Sequence, residues 1–137
     1  EKLKSKGFTY NQQEDALQGE FNGEEVLIQV QTQNNKVWRL FIMDTEFRSE
    51  TQIKLRFNKL VGQFENNSKY TPYKESQTID ENEDISYEIS VNNKQYDAIF
   101  FSETGGKVWF MIGTYEMNYF IAMFYESPKN EADGSDL

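Results

Sequence analysis

Ser49-Glu50-Thr51-Gln52-Ile53-Lys54-Leu55-Arg56-Phe57-Asn58-Lys59-Leu60-Val61-Gly62-Gln63-Phe64-Glu65-Asn66-Asn67 is the stretch that decides the fold class. Ile53, Phe57, Leu60, Val61 and Phe64 recur at i, i+4, i+7, i+8 and i+11, which places all five on one stripe of a 3.6-residue helix. Ser49 with Gln52 three residues on has the form of a capping box, and Asn66-Asn67 supplies the stop. Leu55 falls on the opposite face and is the one residue out of pattern. The spacing predicts an amphipathic helix between two regions of a different period.

On its N-terminal side the period is two. Leu17–Phe21 reads as a short strand, and Asn22-Gly23 after it is a strong hairpin signal because both central turn positions need positive φ. Glu25–Thr32 follows, with Val26, Ile28 and Val30 on one face. Asn34-Asn35 turns the chain into Val37–Met43, where Trp38, Leu40 and Ile42 alternate with Val37, Arg39, Phe41 and Met43. Ahead of this meander, Leu3 followed by Gly7 reads as the last turn of a truncated helix closed by a glycine.

On the C-terminal side, Ser68–Asp84 is polar, holds Pro72 and ends in the acidic run Asp80-Glu81-Asn82-Glu83-Asp84. A loop of this length is uncommon in a compact domain unless mobile or functional. Ile85, Tyr87, Ile89 and Val91 then alternate with Ser86, Glu88 and Ser90, the pattern of a half-buried strand. Asn92-Asn93 turns into Gln95–Phe101, Gly105-Gly106 into Lys107–Thr114, and Glu116-Met117-Asn118 into Tyr119–Tyr125. The predicted fold is therefore α+β: an antiparallel meander of about seven strands packed on one long helix, residues 1–126, with a flexible acidic tail over 127–137. Lys36-Val37-Trp38 and Lys107-Val108-Trp109 each open a strand after a tight turn, which suggests two α-β-β-β units in tandem, 1–48 and 49–126.

Composition narrows the function. The 137 residues include no Cys and no His, which excludes a thiol nucleophile, a Ser-His-Asp triad and a Cys/His zinc site. Fourteen Lys and Arg against 23 Asp and Glu leave a net charge of -9, which argues against nucleic acid, because phosphate binding needs clustered cations. No window approaches the roughly 18 apolar residues of a bilayer span. The chain opens on Glu1-Lys2-Leu3-Lys4 without an initiator Met or a basic-then-apolar leader, which reads as a mature or trimmed product.

Carboxylates are the remaining acid–base groups. Glycosidase chemistry needs two of them facing each other, about 5 Å or about 6.5–9.5 Å apart, and nothing among Glu88, Asp97 or the acidic run marks such a pair. Asp80–Asp84 and Asp133-Gly134-Ser135-Asp136 are rich in oxygen but match no EF-hand spacing, so a solvated acidic loop is the better reading than calcium. No catalytic, cofactor-binding or metal-ligating residue is singled out. Trp109-Phe110-Met111-Ile112 and Phe120–Phe124 are apolar on both faces, so the sheet is either covered on its far side or exposes a patch there. The need to bury most aromatics in a domain this small favours cover. Should a face be open, Trp38, Trp109 and the polar anchor Arg39 are the ligand contacts the sequence offers.

Lys2-Leu3-Lys4-Ser5-Lys6-Gly7-Phe8, Leu17-Gln18-Gly19-Glu20-Phe21-Asn22-Gly23, Asn34-Asn35-Lys36-Val37-Trp38-Arg39, Phe57–Asn67 and Asn130–Leu137 together resemble a group of small uncharacterised secreted proteins of Gram-negative gut anaerobes. The resemblance implies export to the periplasm or cell surface and transfers no catalytic residue. The order of helix and meander, twice over, is similar to β-lactamase-inhibitor-like proteins, in which two such units form a concave sheet. The reading that follows is a non-enzymatic, extracytoplasmic binding or interaction module for a protein or glycan, working through a sheet face or the Ser68–Asp84 loop. Its rivals are a carboxylate-dependent hydrolase acting on glycans and a purely structural subunit.

Overall fold

The computed structural model describes residues 7–21 and 23–127; the predicted helix around Leu3, and the acidic tail beyond Ser127, lie outside them. Over these residues the fold is α+β, one open antiparallel sheet of eight strands with two helices. The strands are β1 (Thr9–Asn11), β2 (Ala16–Phe21), β3 (Glu24–Gln33), β4 (Lys36–Asp44), β5 (Tyr70–Pro72), β6 (Asp97–Ser102), β7 (Lys107–Tyr115) and β8 (Asn118–Glu126). Helix α1 (Glu50–Glu65) separates β4 from β5, and α2 (Ile85–Asn92) separates β5 from β6.

Helix α1 forms where its apolar stripe asks. Ser49 caps it, accepting the Gln52 backbone N–H at 3.3 Å, and Asn66 closes it. Ile53, Phe57, Leu60, Val61 and Phe64 are all buried, while Leu55 stands in solvent. The stripe meets an aromatic layer on the sheet. Phe57 meets Phe110 edge to face at 5.3 Å, and Phe64 stacks on Phe100 at 5.3 Å. Such pairs add about 0.5–1.5 kcal/mol each beyond the area they bury.

The expected count of seven strands is corrected to eight by three changes. Ile85–Val91 is not a strand but most of α2. Asp84 caps this helix by accepting the Tyr87 N–H at 3.1 Å, and Asn93 ends it in the left-handed region at φ 53°. Ile85 and Ile89 satisfy an alternating and a helical pattern alike, being four residues apart. Ile85 is fully buried and Ile89 packs on the core, whereas Tyr87 and Val91 are exposed. The second change is β5, inside the segment expected to be a bare loop. Tyr70 packs edge-on against Phe64 at 4.9 Å, and Pro72 is tolerated because β5 is an edge strand. The third is β1, which pairs Thr9–Asn11 with Ala16–Gln18.

The sheet order is β1-β2-β3-β4-β8-β7-β6-β5. Each half lays four strands side by side in chain order, and the halves meet along β4 and β8. Within this order Lys36-Val37-Trp38 opens β4 and Lys107-Val108-Trp109 opens β7, yet the strand that mirrors β4 across the midline is β8. The two tripeptides do not mark equivalent positions.

Between β5 and α2 the chain is tied down by side-chain amides. Gln77 donates to the Ile99 carbonyl at 3.0 Å and accepts the Ile99 N–H at 2.9 Å, extending the edge of β6 as a strand would. Asn58 of α1 does the same for Ile79, donating at 2.9 Å and accepting at 2.7 Å. Lys54 donates to the carbonyls of Glu81 and Glu83 at 3.0 and 2.6 Å. The acidic run is thus a fastened connection.

Candidate functional site

Residues paired across antiparallel strands share a face, so the register sorts the side of the sheet away from the helices into rows. A central row runs Gln29, Phe41, Phe124, Trp109 and Ile99 from β3 to β6. Beside it lie Leu27, Met43, Ala122 and Met111, and on the other flank Gln31, Arg39, Glu126, Lys107 and Phe101. Neither helix packs on these residues. Phe41, Trp109 and Phe124 are half-buried by one another: Phe41 and Phe124 stack at 4.9 Å, and Trp109 and Phe124 at 5.2 Å.

The cations of the flanking row are seated on these rings. The Arg39 guanidinium lies 4.5 Å from the Trp38 ring centroid and 5.2 Å from that of Phe124, and the Lys107 ammonium lies 5.7 Å from Trp109. Arg39 spends its Nε on the Gln31 side chain at 2.7 Å. Trp38 reaches this place through a bulge. Gln31 pairs with Arg39 but Thr32 with Val37, leaving Trp38 as the extra residue of β4. Bulges re-aim a side chain and sharpen the local twist, which removes Trp38 from the alternation expected with Leu40 and Ile42.

A second aromatic group continues the surface. Gly113 of β7 lies opposite Phe120 of β8, and a Cβ on it would stand 2.4 Å from the Phe120 ring. The missing side chain lets that ring lie across the strand. Phe47 meets Phe120 edge-on at 5.5 Å and stacks on Tyr115 at 5.6 Å. The adjoining turn carries Glu116 and Met117 at φ 49° and 66°, a left-handed pair without glycine or asparagine, with Met117 almost wholly exposed at its tip.

The structure therefore gathers Trp38, Arg39 and Trp109 around Phe124. Phe124 itself, Phe41 and Lys107 were not singled out by the sequence, although the unbroken run Phe120–Phe124 was a signal of two apolar faces. Among the described residues no second layer covers the far side, and the aromatics there stack on one another. Among the described residues the shielded indole N–H of Trp109 has no acceptor, a departure from the usual satisfaction of buried donors that costs about 1–3 kcal/mol.

The carboxylates serve elsewhere. Asp44, buried, accepts Nε and one terminal N–H of Arg56 at 3.1 and 3.2 Å and Arg48 at 3.0 Å, while Arg48 reaches Glu24 at 2.5 Å. This cluster anchors the β4–α1 connection to β3, and its acids and bases neutralise one another. Glu83 is paired with Lys94 and accepts the Tyr96 hydroxyl at 2.7 Å. The hydrogen bond from Lys94, then that from Tyr96, hold the Glu83 carboxyl below its ordinary value; burial raises the Tyr96 phenol, and Glu83 raises it further. Asp84 is also held low, chiefly by the Tyr87 N–H that it caps. Glu88 accepts from Asn92 at 2.9 Å on the exposed side of α2, and Asp97 opens β6 opposite Met111. Among the described residues no three Asp or Glu side chains converge as metal ligands, and no helix is long and apolar enough to cross a membrane.

No protein-family model, no curated protein and no solved structure matches the chain.

Proposed function

We propose that the protein is a non-enzymatic binding module acting outside the cytoplasm, and that its ligand, a protein or a glycan, seats on the open face of the sheet. The observation that carries this reading is the stack of Phe41, Phe124 and Trp109 on a face neither helix covers, with Arg39 and Lys107 on its rings. A sheet face of this kind has a large apolar area and a polar flank to set orientation, the division of labour found in binding surfaces. The extracytoplasmic placement rests on the resemblance to secreted proteins. A glycan hydrolase asks for a carboxyl held above its ordinary value beside a second that stays ionised, whereas Glu83 and Asp84 are both displaced downward.

The two tryptophans of the chain both belong to this face, so intrinsic fluorescence reads it directly. A glycan array and a displayed peptide library, screened with wild type and Phe124→Ser, test the proposal. A ligand that shifts tryptophan emission and is lost in the folded variant supports it. Ligands retained by the variant, or glycans cleaved by wild type, overturn it.

A further inference from the structure

Resting on that reading, we infer that the occupant of the open face is a polypeptide segment whose apolar side chains end in one or two carboxylates, rather than a glycan or a second copy of this chain. Ring orientation is the first ground. Sugars bind to aromatic faces turned outward, but here the interplanar angles of 30° and 27° in the Phe41–Phe124–Trp109 stack spend ring faces on one another. Arg39 lies over Trp38, and Lys107 over Trp109. What the stack presents is ring edges and the clefts between them, which accept branched apolar side chains. Met43 and Met111 in the adjoining row add a surface that reshapes around such groups.

Charge is the second ground. On a chain of net charge -9, Arg39 and Lys107 form a cationic end to this face. Among the described residues neither has an ion pair, although Glu126 lies between them in register. Among the described residues Arg39 donates only its Nε, to Gln31, which leaves the guanidinium fork for an incoming carboxylate. A cation already seated on a ring is partly desolvated and pre-positioned, so a carboxylate meeting it gives up less than at an open surface. Two copies at -9 each repel, and the chain's overall sign disfavours any acidic partner except one whose carboxylate lands on this end.

Size agrees. Five strands at about 4.8 Å spacing span roughly 19 Å, and eight residues along β8 roughly 27 Å. That is on the order of 500 Å², within the roughly 800 Å² that one partner contributes to a standard protein interface and wide for a single sugar.

The experiment is selection of a displayed random-peptide library on the full chain, followed by fluorescence titration of the winning synthetic peptides. Wild type, Phe124→Ser and the double variant Arg39→Gln/Lys107→Gln are compared, with circular dichroism confirming that each is folded; the double variant leaves the core untouched. The expected consensus pairs apolar residues with a terminal Asp or Glu. Affinity should fall about tenfold in the double variant, with no further loss when the peptide carboxylate is amidated, and vanish in Phe124→Ser. Peptides without acidic preference, or insensitive to the double variant yet lost in Phe124→Ser, overturn this inference and leave the binding face standing. A glycan lost in Phe124→Ser, or a dimer by sedimentation with this face buried, does the same. Selected ligands that all survive Phe124→Ser overturn both.

Discussion

The two sides of the sheet are built from the same kinds of residue and do different work. On the helix side Phe100 and Phe110 are completely buried, and α1 lays Phe57 and Phe64 against them. On the other side Phe41, Phe124 and Trp109 stack just as closely but stay half-buried, because among the described residues no helix arrives. Aromatic content alone therefore does not distinguish core from surface in this molecule. What distinguishes them is whether a second layer meets the row. On the helix side the stack is one half of a contact; on the open side it has only its own neighbours and two cations.

The largest test of that contrast is a matched pair of truncations. Phe110→Ala opens a hole between α1 and the sheet and should cost about 3–5 kcal/mol, enough to threaten folding. Phe124→Ala removes a similar ring from the open side, and surrounding water fills the space, so about 1–2 kcal/mol is expected. Chemical denaturation of both variants checks the pair. Equal losses would mean that the open side is packed as a core is, and the two-sided description would fail.

The same contrast explains what was legible in the sequence. Helix α1 could be read because five apolar residues agree with one period and Ser49 and Asn66 agree with its ends. Helix α2 could not, because Ile85 and Ile89 fit both periods; the deciding residues are Asp84, whose carboxylate caps, and Asn93, which tolerates positive φ. Strand β5 is three residues long and contains Pro72, too short for any period to register. Trp38, Arg39 and Trp109 were found as types of residue, but the bulge that turns Trp38 and the register that places Phe124 between Arg39 and Trp109 are tertiary facts. Whether the second apolar face was covered depended on where two helices lay, which no strand pattern records.

A smaller effect sharpens the comparison at the sheet edge, where the fold substitutes side chains for strands. Gln77→Ala leaves the Ile99 N–H without its acceptor, while the Ile99 carbonyl keeps the Tyr73 N–H; Asn58→Ala leaves both the Ile79 N–H and carbonyl without their amide partner. Each should cost about 1–3 kcal/mol, the range for unpaired buried backbone groups. Hydrogen exchange at the Ile99 amide should accelerate in Gln77→Ala and hardly change in Phe124→Ala. If it stays protected in Gln77→Ala, the amide plug is not what completes β6.

The gentlest probe is acid, and its sign follows from the direction of two shifts. Glu83 is held below its ordinary value of about 4.5 by Lys94 and Tyr96, and Asp84 below its own of about 3.8 by the Tyr87 N–H. A carboxyl with a depressed pKa in the folded state contributes stability above its unfolded pKa and loses it as pH falls through the folded one. Wild type should therefore melt higher than Glu83→Gln near neutrality, and the gap should narrow below pH about 4.5 and close at the acid end. Lys94→Met should behave like Glu83→Gln at neutral pH and lose the acid-dependent gap with it. These residues fasten the start of α2 on the helix side, so tryptophan emission from Trp38 and Trp109 should not follow the transition until the whole chain unfolds. An emission change that tracks the gap would tie the acid-sensitive clasp to the open face, and the independence of the two sides would be lost.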